Sequence, residues 1–202
     1  MHLVAVDIGN SSTKVAVEPV PGSVPSAIET PNDRWITESV IRHDERLHIE
    51  LSSDPAFWSI CSVNRQRQKL LETWIATKRA TDQIHYIVES EIELESNIES
   101  RAQIGIDRLV AAWMAVQLND GKGPVIVVDA GTAVTIDLVD AHTVFQGGLI
   151  FPGATATLKS LSEATDALPD LSDRRYLKFL EHPAKLVGKS TFPAIVRGVY
   201  QA

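Results

Sequence analysis

One short pattern occurs twice in this chain and constrains its fold more than any other feature. Val4-Ala5-Val6-Asp7-Ile8-Gly9-Asn10-Ser11-Ser12-Thr13 matches Ile126-Val127-Val128-Asp129-Ala130-Gly131-Thr132-Ala133-Val134-Thr135. In each copy an apolar, β-branched run delivers an Asp, a Gly follows two residues later, a hydroxyl or amide residue comes next, and a Thr lies six residues after the Asp. The two Asp residues stand 122 positions apart. A single Asp-x-Gly after a strand is ordinary turn chemistry. Two copies agreeing at four positions imply a duplicated strand–turn–strand device, hence two related halves with a cleft between them.

The 202 residues leave room for one large domain or two small ones, and the repeat favours the second, with halves at 1–105 and 106–202. Strands are expected at Leu3 to Ile8, Thr13 to Val17, Phe57 to Val63 and Ile84 to Val88. A helix from Arg65 to Arg79 would present Leu70, Leu71, Trp74 and Ile75 on its apolar side. Pro19, Pro21, Pro25 and Pro31 mark a surface loop or ragged edge. Glu89, Glu91, Glu93, Glu95 and Glu99 suggest a solvated connection. The second half reads as a helix from Ile106 to Leu118, then strands at Val125 to Val128, Ala133 to Val139 and Val144 to Ile150, the last interrupted by Gly147-Gly148. A helix from Ala154 to Ala164 follows, then a loop, then a final helix from Ser190 or Thr191.

Composition removes several function classes. The formal charge of −7 argues against a general nucleic-acid binder, which needs a basic face to displace phosphate counterions. The single cysteine, Cys61, excludes an internal disulfide or a thiolate metal cage and fits a reducing cytoplasm. No apolar run reaches the ~18 residues of a membrane span, and Asp7 falls where a signal peptide would keep its apolar core. His2, His43, His48, His85, His142 and His182 show no metal-ligand spacing. Trp35, Trp58, Trp74 and Trp113 are scattered, as core residues are. Gly188-Lys189-Ser190 is not a Walker A loop, because Pro183 stands where that pattern needs Gly.

The two turns suggest phosphate chemistry. Glycine at the third position lets a phosphate approach backbone N–H groups with no Cβ in the way. Asn10, Ser11, Ser12, Thr13 and Thr132 add neutral donors, and Lys14 adds a charge. Asp7 and Asp129 cannot bind phosphate directly; they suit a cation, held directly or through water beside a polyphosphate. Positioned phosphates, a neutralising cation and an oriented acceptor are the parts of a phosphoryl-transfer site.

At these residues the sequence resembles the type III pantothenate kinases of the acetate kinase/sugar kinase/Hsp70/actin superfamily. Asp7 to Thr13 is similar to their first phosphate motif and Asp129 to Asp137 to their second. Gly105-Ile106-Asp107-Arg108 is similar to their Gly-x-Asp-Arg signature, and Gly147-Gly148-Leu149-Ile150-Phe151-Pro152-Gly153 to their Gly-Gly-x-Ile-x-Pro-Gly segment. The resemblance implies an α/β fold of two ribonuclease H-like (actin-like ATPase) halves, mixed β-sheets flanked by helices, with the second half incomplete. It implies ATP, Mg2+ and a monovalent cation (K+ or NH4+), with Asp7, Gly9 to Lys14, Gly131 and Thr132 on the nucleotide and Asp129 and Asp7 on metal. It implies pantothenate against Gly105, Ile106, Asp107, Arg108 and Thr191, with Asp107 as the base that takes the hydroxyl proton. It also implies a cytoplasmic homodimer, for which the apolar helix Leu109 to Leu118 offers a face or, equally, ordinary core.

Two departures stand out. Family members usually carry a Tyr and a Pro shortly before Gly-x-Asp-Arg, where Ile98 and Arg101 stand here. They also continue, past the equivalent of Gly198-Val199-Tyr200, into a strand–helix unit with a Gly-Gly motif against the adenosine, whereas this sequence stops at Ala202. Either the sequence is cut short there or much of the base pocket has been lost, and the second case makes the alternative to a kinase a catalytically degenerate nucleotide-binding regulator, akin to relatives that act as accessory transcription factors. A sugar kinase of the same superfamily finds no matching acceptor pattern.

Overall fold

The computed structural model describes residues 2–19, 37–173, 176 and 187–201. The proline-rich segment beyond Pro19, Trp35, His182 and Pro183 lie outside the described residues. The chain divides into two compact units, Met1–Val125 with Leu138–Gly147, and Ile126–Asp137 with Gly148–Ala202.

The first unit is built on a five-stranded sheet. Its strands are β1 (His2–Ile8), β2 (Ser12–Pro19), β3 (Thr37–Arg42), β4 (Ala56–Ser62) and β5 (Gln83–Tyr86), in the order β3-β2-β1-β4-β5. β1 pairs antiparallel with β2, which pairs antiparallel with β3, while β4 and β5 run parallel to β1. This mixed order is that of a ribonuclease H-like half. Period-two alternation places Val4, Val6, Ile8, Val15, Val17, Trp58 and Ile60 in one core.

Helix α1 (Arg65–Lys78) closes that core with Leu71 and Ile75, and Asn64 caps it by accepting from the Arg67 N–H at 3.1 Å. Leu70, expected on the apolar side, is 50% exposed, since the buried pair at i,i+4 spacing is Leu71 and Ile75. Trp58 packs edge-on against Trp74, and its indole N–H donates to Asp82 at 2.8 Å. Burial would push the Asp82 carboxyl up, but Arg79, Trp58 and the Ala56 N–H together hold it below the usual carboxylate range.

The acidic connection is not simply solvated. It contains a 3-10 turn at Glu89–Glu91 and a short strand, β6 (Glu95–Ser96), and it buries Ile92 and Leu94. The glutamates alternate with these two apolar residues, so one side of the segment is core and the other is water. Helix α2 (Ile106–Leu118) follows, with Leu109, Ala112 and Val116 buried. Those three residues are covered by the chain itself, whereas Leu118 at the end of the helix is exposed.

The second sheet has the order β6-β9-β8-β7, with β7 (Val125–Ala130), β8 (Ala133–Val139) and β9 (Val144–Pro152). The run β9-β8-β7 repeats β3-β2-β1, and among the described residues no strand follows β9. β9 passes through Gly147-Gly148 without the expected interruption. Gly147 takes φ +85°, and Gly148 lies so close to β8 that a Cβ would sit 2.0 Å from the Ile136 oxygen. Helices α3 (Ala154–Glu163) and α4 (Thr191–Gln201) contribute Leu158 and Ile195 to a smaller core with Leu171. Among the described residues no helix is long and apolar enough to cross a membrane.

Candidate active site

The β1–β2 hairpin turns through Gly9, Asn10 and Ser11. The Gly9 N–H closes it by donating to the Ser12 oxygen at 3.0 Å, and a Cβ on Gly9 would meet nothing closer than that oxygen at 3.4 Å. Asn10 and Ser11 are exposed at the tip, Ser12 is half-buried, and Thr13 is buried. Asp7 and Lys14 face each other in register, and the ammonium donates to Asp7 Oδ2 at 3.1 Å. The Lys14 side chain is 56% exposed and that of Asp7 39%, so the pair is open to exchange with a solute.

His43 supports this hairpin from beneath, a role with no motif to reveal it. Its N–H donates to the Ser11 oxygen at 3.0 Å, and its Nε2 lies 3.4 Å from the Thr13 hydroxyl. Burial and the nearby Arg67 charge hold its pKa below the ordinary value, against hydrogen bonds to the Asn10 and Ser12 backbone.

The Gly105–Arg108 turn opens α2. Gly105 is the N-cap, and its oxygen accepts from the Arg108 N–H at 3.1 Å and from the Leu109 N–H at 3.3 Å. The Asp107 carboxylate folds back over it. A Cβ at position 105 would sit 2.3 Å from Asp107 Oδ1, and that same oxygen accepts from the Arg108 N–H at 2.9 Å. Only glycine therefore leaves this carboxylate its place. Ile106 and Arg108 are half-buried, and the Arg108 guanidinium lies 5.8 Å over the Phe145 ring.

Hairpin and turn belong to one neighbourhood of the first unit. The Val63 N–H donates to the Ile8 oxygen at 3.0 Å, and the Val63 side chain is 3.8 Å from the Cβ position of Gly105. Cys61, next to Asp7 across the parallel β1–β4 pair, has its thiol pushed up to about 12 by burial, with Asp7 and Asp107 adding to the effect. Two carboxylates from β1 and α2 thus act on one thiol.

The second hairpin turns through Gly131 and Thr132, both exposed, as is Asp129. The Gly131 N–H donates to the Ala133 oxygen at 2.9 Å, and the Gly153 N–H to the Thr132 oxygen at 2.9 Å. A Cβ on Gly153 would fall 2.1 Å from the Gly131 oxygen, so the N-cap of α3 is pressed directly onto this turn. Asp137, quoted above as the end of the second motif and given no role, is 1% exposed, and Gly148 lies over it, its Cβ position 2.6 Å from Asp137 Oδ1. The signal was the alternation of β8, which gives Asp137 the parity of buried Val139.

Thr191 is exposed at the start of α4. Gly188 lies against the first turn of that helix, where a Cβ would meet Ala194 N at 2.3 Å. Thr191 also borders a largely apolar groove of about 740 Å³ with Leu161, Leu168, Ile195 and Val199. Among the described residues no cluster of three or more His, Cys, Asp or Glu side chains could by itself hold a metal ion. The donors suit a cation that arrives with phosphates and needs only one or two protein carboxylates.

A family model described as type III pantothenate kinase matches residues 3–202. The chain is 31% identical over 223 residues to the type III pantothenate kinase of Rhodopirellula baltica, covering 98% of this chain and 78% of the relative. It is 26% identical over 203 residues to that of Sulfurihydrogenibium sp., covering 98% and 76%. The crystal structure of the Aquifex aeolicus member of the Ppx/GppA family aligns over 90% of this chain and 60% of that one, with 14% identity and a TM-score of 0.35.

Proposed function

The chain belongs to the type III pantothenate kinase family, and on that premise we propose that it transfers the γ-phosphoryl group of ATP to pantothenate, giving 4'-phosphopantothenate in the first step of coenzyme A biosynthesis. Asp107 is the general base. Its carboxylate takes the proton of the pantothenate hydroxyl as that oxygen attacks the γ-phosphorus in line, the bond to the β-phosphate breaks, and ADP leaves. Arg108, shelved on Phe145, pairs with the pantothenate carboxylate. Gly105 and Ile106 line the acceptor, and Thr191 donates its hydroxyl to it.

The β1–β2 turn, Gly9 to Lys14, binds nucleotide phosphate through backbone N–H groups and hydroxyls, and the β7–β8 turn at Gly131 and Thr132 offers donors of the same kind. Asp7 and Asp129 serve the accompanying cations. Mg2+ would neutralise phosphate charge when bound, and Asp129 would hold a K+ or NH4+ ion. Binding would exchange the Asp7–Lys14 pair, turning Lys14 to phosphate and Asp7 to the cation. The division into halves at 1–105 and 106–202, and a homodimer, belong to the same reading.

The observation that carries this reading is the closeness of base and phosphate turn within one unit: the Val63 N–H donates to the Ile8 oxygen at 3.0 Å, and the Val63 side chain lies 3.8 Å from the Cβ position of Gly105. The test is mass-spectrometric detection of 4'-phosphopantothenate from ATP and pantothenate with Mg2+ and K+. Product formed only when both cations are supplied is the expected result. Folded protein that binds ATP but makes no product overturns the kinase and leaves the nucleotide-binding regulator.

A further inference from the structure

Arg101 precedes the Gly105–Arg108 turn by four residues and commits its guanidinium almost entirely to main-chain oxygens. Nη1 donates to the Leu94 oxygen, and Nη2 to the Ile92 oxygen at 2.7 Å and to the Glu89 oxygen at 3.4 Å. Nε meets the Glu89 carboxylate at 3.1 Å. Three carbonyls of one segment converge on a planar fork, a geometry that a point-like ammonium cannot reproduce.

The segment held in this way reaches the acceptor turn from two directions. Downstream of Ile92 and Leu94, β6 pairs with β9 at Val144 and Phe145, and the Asn97 N–H donates to the Phe145 oxygen at 2.9 Å. Phe145 is fully buried and is the ring on which Arg108 lies. From the other side, the Arg101 oxygen accepts from the Ile104 N–H at 3.0 Å, closing the 3-10 turn Arg101–Gln103 that leads into Gly105.

We propose that Arg101 is a positioning residue for the acceptor site, whose fork fixes residues 89–96 against β9 and so sets the shelf and direction of Arg108. The proposal rests on the reading of Gly105–Arg108 as the pantothenate site. Arg101 touches no substrate. Its loss therefore weakens recognition of the pantothenate carboxylate and leaves the nucleotide side alone.

The test compares Arg101→Ala and Arg101→Lys with Glu89→Gln, which removes only the ion pair. Both Arg101 variants should raise the pantothenate KM by about tenfold, the scale of a misplaced binding group, with kcat and the ATP KM within about twofold of wild type. Glu89→Gln should stay within about twofold throughout, as a single partly exposed ion pair contributes little. An unchanged pantothenate KM, or kcat and both KM values worsening together as in a general loss of fold, overturns the proposal. Amide hydrogen exchange supplies a second readout, with faster exchange expected at Asn97, Arg108 and Leu109 in both Arg101 variants. If wild-type protein makes no phosphopantothenate, the kinase reading fails on that result. The clamp is then judged by exchange alone, and unchanged protection at those three amides overturns it.

Discussion

The two hairpins share a sequence signature but not a means of support. The first is steadied from within its own unit by His43 beneath the tip and by the Asp7–Lys14 pair across the strands. Its turn has three residues and its glycine has space around it. The second turn has two residues and is clamped by the N-cap of α3, with Gly153 against both of its carbonyls. On the buried side of the second strand, Thr13, Val15 and Val17 become Thr135, Asp137 and Val139 at the same offset of 122. An apolar core position in one copy is thus a buried carboxylate in the other, accommodated by Gly148. A duplicated turn can keep its backbone and its Asp-x-Gly signature while everything that braces it diverges.

The sharpest difference is that only the first hairpin has the proposed base in its own unit. Asp107→Asn should lower kcat by about 10²- to 10⁴-fold, the range of a positioned general base, with ATP affinity largely retained. Parallel loss of ATP binding and turnover would give Asp107 a folding role instead. Gly105→Ala should copy much of this defect, because its methyl would displace the Asp107 carboxylate.

The difference in bracing can be broken by one methyl group. Gly153→Ala places a Cβ 2.1 Å from the Gly131 oxygen and 2.9 Å from that of Thr132, both backbone atoms. The expected cost is about 3 kcal/mol, a Tm lower by roughly 6 °C or more in a chain of this size. Gly9→Ala should change stability by less than about 1 kcal/mol, since Gly9 has space and no positive φ. Its effect belongs to ATP, whose KM should rise as the methyl enters the path of the phosphates. Thermal melts beside steady-state kinetics separate the two, and equal melting losses would erase the distinction.

Much of this was legible in the sequence, for physical reasons. Both Asp-x-Gly turns, the first core and the start of α4 follow from side-chain alternation and turn chemistry, which are local. The acidic segment misled because five glutamates dominate its composition, while the alternation with Ile92 and Leu94 that makes it half core is short. His43 and Arg101 left no local signal. Each acts on backbone atoms brought to it by chain pairing, and such partners are fixed only once the strands are in register. Leu109, Ala112 and Val116 show the converse: an apolar helical stripe reads the same whether the surface that covers it is the chain's own or another's.

Cys61 offers the finest test of the neighbourhood around the first hairpin. Burial, Asp7 and Asp107 all disfavour its thiolate and place its pKa at about 12. At pH 10, two units below that value, about one thiol in a hundred should be ionised, as read by the ultraviolet absorbance of the thiolate in folded protein. Asp7→Asn and Asp107→Asn each remove one negative neighbour, so each should lower the pKa and raise the ionised fraction severalfold. The double variant should exceed either alone, because the two charges act on the thiol independently through space. Asp54→Asn, which alters an exposed carboxylate paired with His2 in the same unit, should leave it unchanged. A response to Asp7→Asn without one to Asp107→Asn would place the acceptor turn away from the phosphate hairpin and remove the proximity on which transfer between them depends.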